Sequence, residues 1–288
     1  MPRYAYVNGR YVPHGDAHVH IEDRGFQFAD GVYEVVTVVD GALVDDGPHM
    51  DRLARSMAEL RIPWPMSRRA MEMVMRTLVR RNGVRNGIVY LQVTRGVAAR
   101  DFRFPKGAHP SLVMTTKHMA RFGSPDLMEK GVSAVTIPDI RWTRRDIKSV
   151  ALLAQVLAKQ AAAEAGAFEA WQVDPDGTVT EGASSNAWIV NRDGVLVTRP
   201  ATNAILNGIT RLRILKLAAE AGIPFEERAF TVEEAYGARE AFVSSATTFV
   251  TPVTRIDDRP VGNGVPGLLA SRLREDYLAF AGGERRSA

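Results

Sequence analysis

The 288-residue chain contains no cysteine. That excludes disulfide frameworks, thiolate metal sites, iron–sulfur clusters and cysteine nucleophiles together. It also suits a reducing compartment, so a cytoplasmic location is expected. Lysine is scarce: of 37 basic residues only six are lysine, the rest arginine. No apolar run approaches the roughly 18 residues of a membrane span. The opening Met1-Pro2-Arg3-Tyr4-Ala5 has no apolar stretch of the kind a signal peptide needs. No membrane partner is therefore expected. Charge of one sign is not in excess either, the net value being +4. The arginine pairs Arg68-Arg69, Arg80-Arg81 and Arg144-Arg145 are scattered, with no basic stripe interleaved with aromatics, so nucleic acid is not expected as a partner. What is present, 45% hydrophobic and 24% charged residues, is ordinary for a globular protein of one large or two medium domains.

Local patterns predict many hairpins mixed with helices. Asn8-Gly9 between Tyr4–Val7 and Arg10–Val12 is a strong hairpin signal. Val32–Val39, Asp40-Gly41 and Ala42–Val44 form a second. Pro48 suits the first turn of a helix carrying Leu53, Met57 and Leu60, and Ser67 caps another carrying Met71, Val74, Met75 and Leu78. Ile88–Val93 and Leu112–Thr115 read as strands. Periodicity is then lost around Gly123, Ser124 and Pro125. The expected division is an N-terminal α/β domain over 1–118, a linker over 119–131 and a second domain over 132–288. In the latter, Ser149 is expected to cap a helix from Val150 to about Ala165, and a further helix is expected from Ile209 to Ala221. This irregular alternation points to mixed α+β layers rather than a doubly wound parallel sheet.

Several motifs fail on inspection. Gly262, Gly264 and Gly267 spell G-x-G-x-x-G, but only 21 residues follow, too few for the rest of a dinucleotide-binding unit, and Pro266 removes a backbone donor. The string reads as a turn into the last helix. His14, His18 and His20 cluster, with His18 and His20 on one face if the segment is a strand; a solvated polar face outweighs a metal site there, and no metal is expected. Asp174, Asp176 and Glu181 lack calcium-loop spacing.

Four segments remain unusual: Glu22-Asp23-Arg24-Gly25-Phe26-Gln27-Phe28-Ala29-Asp30-Gly31-Val32-Tyr33-Glu34; Tyr90 to Gly96 followed by Arg100; Asp146-Ile147-Lys148-Ser149; and Thr180-Glu181-Gly182-Ala183-Ser184-Ser185-Asn186 with Leu206-Asn207-Gly208-Ile209-Thr210-Arg211. Gly208-Ile209-Thr210 opens a helix, whose free N–H groups suit phosphate. Lys148 is either a surface charge or an amine poised for a Schiff base. Glu181 lies at a strand end before small polar residues and reads as a turn carboxylate.

In their order and spacing these segments resemble the fold-type IV pyridoxal-phosphate aminotransferases, and among them the D-amino-acid aminotransferases, over nearly the whole chain. The resemblance implies a two-domain fold of that type, pyridoxal 5'-phosphate as cofactor, and a homodimer acting on an amino acid and a 2-oxo acid. It implies that Lys148 holds the cofactor and moves the substrate Cα proton, and that Glu181 keeps the pyridine nitrogen protonated. It further implies that Arg52, Gly208, Ile209, Thr210, Ser185, Ser245 and Thr247 line the cofactor, with Leu206 against its ring. Tyr33 and Arg100 would take the substrate carboxylate, the Arg100 loop reaching into the partner subunit. Two positions depart from the family pattern: Phe102 stands where a histidine is usual, and Ala246 where a phosphate-binding threonine is usual, leaving Ser245 or Thr247 to substitute. The implied function is D-amino-acid transamination. Alternatives on the same fold are (R)-selective amine transamination and branched-chain L-amino-acid transamination; a non-catalytic nucleic-acid-binding protein is the alternative of another class.

Overall fold

The computed structural model describes residues 3–120, 122 and 125–283. The chain divides into two compact units, Met1–Arg121 with Ile147–Leu152, and Phe122–Asp146 with Leu153–Ala288. The segment around Lys148 thus packs with the first unit, although the sequence reading counted all of 132–288 with the second. Gly123 and Ser124 of the expected linker lie outside the described residues.

In the first unit, β1 (Tyr4–Val7), β2 (Arg10–Pro13), α1 (Arg24–Phe28), β3 (Gly31–Val39), β4 (Ala42–Leu43), α2 (Asp46–Glu59), α3 (Arg68–Arg81), β5 (Gly87–Thr94) and β6 (Ser111–His118) follow in order. The strands form one antiparallel sheet, β2-β1-β6-β5-β3-β4. Asn8 and Gly9 both take positive φ, as a tight hairpin on Asn-Gly requires. Ser67 Oγ accepts from the Ala70 amide at 3.3 Å, so the predicted cap on α3 forms. Alternation along β3 puts Val32, Glu34, Val36 and Val38 on the buried face. The apolar members of that set pack with Leu53 and Met57 of α2 and Met71, Met75 and Leu78 of α3. Glu34 is therefore a carboxylate inside an apolar core, which demands a cation.

The second unit contains α4 (Pro125–Glu129), β7 (Val132–Pro138), α5 (Leu153–Glu164), β8 (Glu169–Val173), β9 (Val179–Gly182), β10 (Asn186–Val190), β11 (Leu196–Thr198), α6 (Ile209–Glu220), β12 (Phe225–Glu227), α7 (Val232–Tyr236), β13 (Glu240–Ser245), β14 (Phe249–Ile256), β15 (Arg259–Pro260) and α8 (Leu268–Gly282). Its sheet runs β12-β11-β10-β13-β14-β7-β8-β9, with β15 on β14. Pairs β11·β12, β14·β7 and β7·β8 are parallel and the other pairs antiparallel, so the layers are mixed as expected. Trp188 stacks on Phe242 at 5.3 Å in the core, its indole N–H donating to Ser244 Oγ at 2.9 Å.

Three local expectations are corrected. Ser149 is not a helix cap, and the helix begins at Leu153 rather than Val150. Ser149 instead bridges Val32, and the Val150 amide donates to the Gly31 carbonyl at 3.0 Å. This pairing holds residues 149–150 extended along the start of β3, and extended backbone cannot open a helix. His18 and His20 lie in no strand: a 3-10 turn over His14–Asp16 breaks the extended pattern, and His20 Nδ1 accepts from the Glu22 amide. Among the described residues no group of three metal-binding side chains gathers. Gly262 and Gly264, with positive φ, lie in the turn before α8, as read. No helix among the described residues is long and apolar enough to cross a membrane.

Candidate active site

In the first unit, the extended segment Ile147–Leu152 lies along the start of β3, where the Tyr33 amide donates to the Lys148 carbonyl at 3.0 Å. The Lys148 amide donates to Ser56 Oγ of α2 at 3.3 Å. Main-chain bonds on both sides thus fix the base of the lysine, and its Nζ sits 4.3 Å from the centre of the Tyr33 ring. Tyr33 in turn stacks near Tyr90 at 5.7 Å. Burial, with Tyr33 adding to it, pushes the Tyr90 phenol up to about 12, and its hydroxyl donates to Gln92 Oε1 at 2.7 Å.

On the opposite face of β3, Glu34 receives Arg52 Nε at 2.8 Å, Arg52 Nη2 at 2.8 Å and His49 Nδ1 at 2.7 Å. His49 and Arg52 are one turn apart on α2, so both reach one carboxylate. Burial alone would raise the Glu34 value; the charge and hydrogen bonds of Arg52, helped by His49, outweigh it and bring the carboxyl from 4.5 down to about 2. Burial likewise pushes the His49 imidazole below its ordinary value, so near neutral pH it is uncharged. A carboxylate only accepts, so the Nδ1 of that ring carries the proton. Sequence reasoning quoted Glu34 and passed over His49. The detectable signal was an acidic residue at an inward-facing position of an otherwise valine-rich strand.

Arg100 and Phe102 lie on the exposed loop between β5 and β6. Among the described residues no contact joins Arg100 to Tyr33 within one chain. The Arg100 guanidinium lies 4.7 Å over the Phe28 ring instead, and Phe102, 82% exposed, meets the same ring at 5.3 Å.

In the second unit, Glu181 is the third residue of β9 and is buried. Arg141 Nη1 donates to it at 2.5 Å, Asn186 Nδ2 at 2.9 Å and the Leu206 amide at 3.1 Å. Arg141 also holds Asp139 through Nη2 at 2.7 Å. Burial would lower the Arg141 value, but Glu181 and Asp139 raise it above that of free arginine, so the guanidinium stays charged. A carboxylate so surrounded is held ionised and oriented, as a partner for a protonated ring nitrogen must be. Arg141 and Asp139 were not singled out in the sequence.

Gly208 precedes α6. No side chain caps this helix, and its first turn contains no acidic residue. The first intrahelical bond runs from the Leu212 amide to the Gly208 carbonyl at 3.0 Å, so the Ile209 and Thr210 amides precede the ladder and point out of the helix end. A Cβ at Gly208 would clash with Asn186 Oδ1, the residue whose Nδ2 holds Glu181. Ser245 forms a hydroxyl cluster with Thr247 at 3.3 Å and Thr248 at 2.9 Å. Ser185 donates to Glu169 at 2.8 Å. Helix-end amides and clustered hydroxyls suit a phosphate, an ionised buried carboxylate suits a pyridinium, and a lysine with a fixed base suits an aldehyde. The donor set fits pyridoxal phosphate.

Comparison with known proteins agrees with this chemistry. The family model described as amino-transferase class IV matches residues 31–256. The chain is 43% identical over 268 residues, 93% of either chain, to the D-alanine aminotransferase of Bacillus licheniformis. It is 42% identical over 96% of both chains to the D-alanine aminotransferase of Staphylococcus aureus strain MSSA476. Among solved structures, a branched-chain amino acid aminotransferase from T.th. with pyridoxamine 5'-phosphate superposes with a TM-score of 0.92 at 27% identity, over 100% of this chain and 96% of that one.

Proposed function

Because the chain belongs to the class IV aminotransferase family, a family of pyridoxal-phosphate enzymes, we propose that it is a D-amino-acid transaminase, moving the amino group of a D-amino acid such as D-alanine to a 2-oxo acid such as 2-oxoglutarate. The observation that carries this reading is Lys148 Nζ over the Tyr33 ring, in a chain 43% identical to a D-alanine aminotransferase over 93% of its length.

Lys148 Nζ would hold the cofactor covalently, and it would take and return the substrate Cα proton. When bound, the cofactor supplies a carbonyl that accepts the amino group and a ring that absorbs the electron pair left at Cα. Glu181, held ionised by Arg141, keeps a proton on the pyridine nitrogen. The Ile209 and Thr210 amides at the Gly208 turn, together with Arg52, Ser245 and Thr247, bind the phosphate. Ser245 and Thr247 supply the hydroxyls that Ala246 does not. Leu206 and Ser185 border the ring. Residues 132–288, Lys148 among them, act as the cofactor-binding domain. Tyr33 and Arg100 hold the substrate carboxylate, and Phe102 borders it without donating a hydrogen bond. Holding the carboxylate on this side while Cα–H faces Lys148 selects the D-enantiomer.

A homodimer completes this reading, since Arg100 and Tyr33 do not meet within one chain. The exposed apolar side chains of Leu153, Val156 and Leu157 at α5 suit burial against a second copy. A cytoplasmic location accords with the absence of cysteine. The test compares D-alanine, L-alanine, L-leucine and (R)-1-phenylethylamine as donors. Turnover with D-alanine is expected; turnover confined to L-leucine or to the amine would replace the reading with one of its same-fold alternatives. Borohydride reduction and peptide mapping should mark Lys148 and leave Lys130 and Lys159 unlabelled.

A further inference from the structure

The sequence Asp23-Arg24-Gly25-Phe26-Gln27-Phe28 makes a helix of a single turn, α1. Asp23 caps it, its Oδ1 accepting from the Gly25 amide at 2.8 Å and its Oδ2 from the Thr94 hydroxyl at 3.0 Å. Ala29, with φ of 54°, ends it. Arg24 and Phe28 are four residues apart and therefore share a face. The neighbouring chain is tied to the loop after β5: the Arg24 amide donates to the Gly96 carbonyl at 2.9 Å, and Asp23 bridges Val97. Gly96 takes φ of 97°, and a Cβ there would clash with the His109 carbonyl, so the two ends of the loop meet at a position only glycine allows.

The Arg24 side chain, with 3% exposure, continues this attachment. Its Nε donates to Asp30 at 2.8 Å and its Nη1 to the Asp101 carbonyl at 2.5 Å. Arg95 grips the same Asp30 from Nε at 2.7 Å and Nη2 at 2.9 Å. Burial works against the Asp30 charge, and the two arginines outweigh it, holding the carboxyl below its ordinary value. The Asp101 carboxylate is taken by Arg103 at 2.6 Å. These neighbouring arginines thus have carboxylate partners, but Arg100 has no hydrogen bond or ion pair among the described residues. Its guanidinium lies 4.7 Å over the Phe28 ring, which also meets Arg24 at 4.8 Å and Phe102 at 5.3 Å.

We propose that Phe28 and Arg24 are positioning residues for Arg100: the Phe28 ring carries the guanidinium by its face, and Arg24 fixes the backbone from which Arg100 projects. The inference rests on the reading of Arg100 as the group that binds the substrate carboxylate. A guanidinium stacked by its face keeps its in-plane N–H groups available, and those are the donors that meet a planar carboxylate in pairs. An arginine on an exposed loop without such a platform loses more rotamer freedom on binding. Phe102 packs on the same platform, 5.3 Å from the Phe28 ring.

The experiment measures kcat and KM for D-alanine separately in Phe28→Leu, Phe28→Trp, Arg24→Gln and Arg100→Ala. It also measures hydrogen exchange of the 98–104 amides in each cofactor-free protein. Phe28→Leu should raise KM roughly three- to thirtyfold with kcat within about twofold, and Phe28→Trp, which keeps a cation-binding face, should restore KM. Arg24→Gln should raise KM and speed exchange of the loop amides. If Arg24→Gln does not fold, the Phe28 pair carries the test alone. Arg100→Ala separates the two levels. If it leaves KM unchanged, the carboxylate reading falls and this inference with it. If it raises KM while both Phe28 variants behave as the parent enzyme, only the positioning role is overturned. A Phe28→Trp variant that stays as impaired as Phe28→Leu overturns it as well.

Discussion

Arg52 and Arg100 belong to the same unit and are assigned the same kind of task, holding an anion, yet their surroundings are opposite. Arg52 is 9% exposed and its side chain is gripped by Glu34 through two hydrogen bonds of 2.8 Å, with His49 on the same carboxylate. Arg100 is exposed and stacked, with no ionic partner among the described residues. The contrast suits the anion proposed for each. A cofactor phosphate stays through many turnovers, so its arginine is best locked by a permanent carboxylate. A substrate carboxylate must enter and leave each cycle, so its arginine is best aimed by a neutral ring that does not compete for the same donors. Ionic locking near Arg100 is placed one step back, on Arg24 and Arg95.

Breaking the locked side should have the largest effect. Glu34→Leu leaves Arg52 buried without its carboxylate and should destabilise the fold by about 3–5 kcal/mol, read from the denaturant midpoint. A loss below about 1 kcal/mol would show that Arg52 does not need this partner.

Acid should act on the same contact. The Glu34 value is lowered on folding from 4.5 to about 2, so its ionised form stabilises the fold fully above pH 4.5, and the contribution is lost as pH falls toward 2. About 3 kcal/mol should disappear across that window in the parent protein, and correspondingly less in Glu34→Leu. Identical slopes in the two proteins would remove Glu34 as the cause.

On the stacked side, Arg100→Ala should leave folding unchanged and cost roughly 2–4 kcal/mol in kcat/KM for D-alanine. A change in the unfolding midpoint comparable to that of Glu34→Leu would contradict the division between the two arginines. The smallest effect is expected from Phe102→His, which adds a donor beside Arg100 and should lower KM for D-alanine by only a few-fold, about 1 kcal/mol or less. A rise in KM would mean that packing of Phe102 on Phe28 matters more than the added donor.

How far the sequence could be read depended on how local each signal was. The Asn8-Gly9 hairpin and the Ser67 cap are decided within a few residues, and both formed as expected. Ser149 carried an equally good cap signal and did not act as one, because pairing with Val32, over a hundred residues away, holds this stretch extended beside β3. The β14 strand escaped notice because Pro252 sits inside it, opposite Phe242, and proline speaks against a strand when pairing partners are unknown. Lys148 and Glu181 were singled out through their motifs. The ion pairs of the buried carboxylates were not legible: Arg141 is 40 residues from Glu181, and Arg52 is 18 from Glu34, separations at which no sequence periodicity operates.

By itself, then, the sequence determined the chemical repertoire: no thiol, six lysines, an uncapped glycine-led helix, and strands whose alternation decides which side chains go inward. These depend on residue identity and on backbone periodicity, which act over a few residues. Only the tertiary structure decided which charge meets which. A buried carboxylate must find a cation wherever the fold brings one, and desolvation makes that pairing obligatory without marking it in the local sequence. Thus Glu34 came to lie on Arg52 and Glu181 on Arg141, and Arg100 was left on Phe28 with its in-plane donors still available.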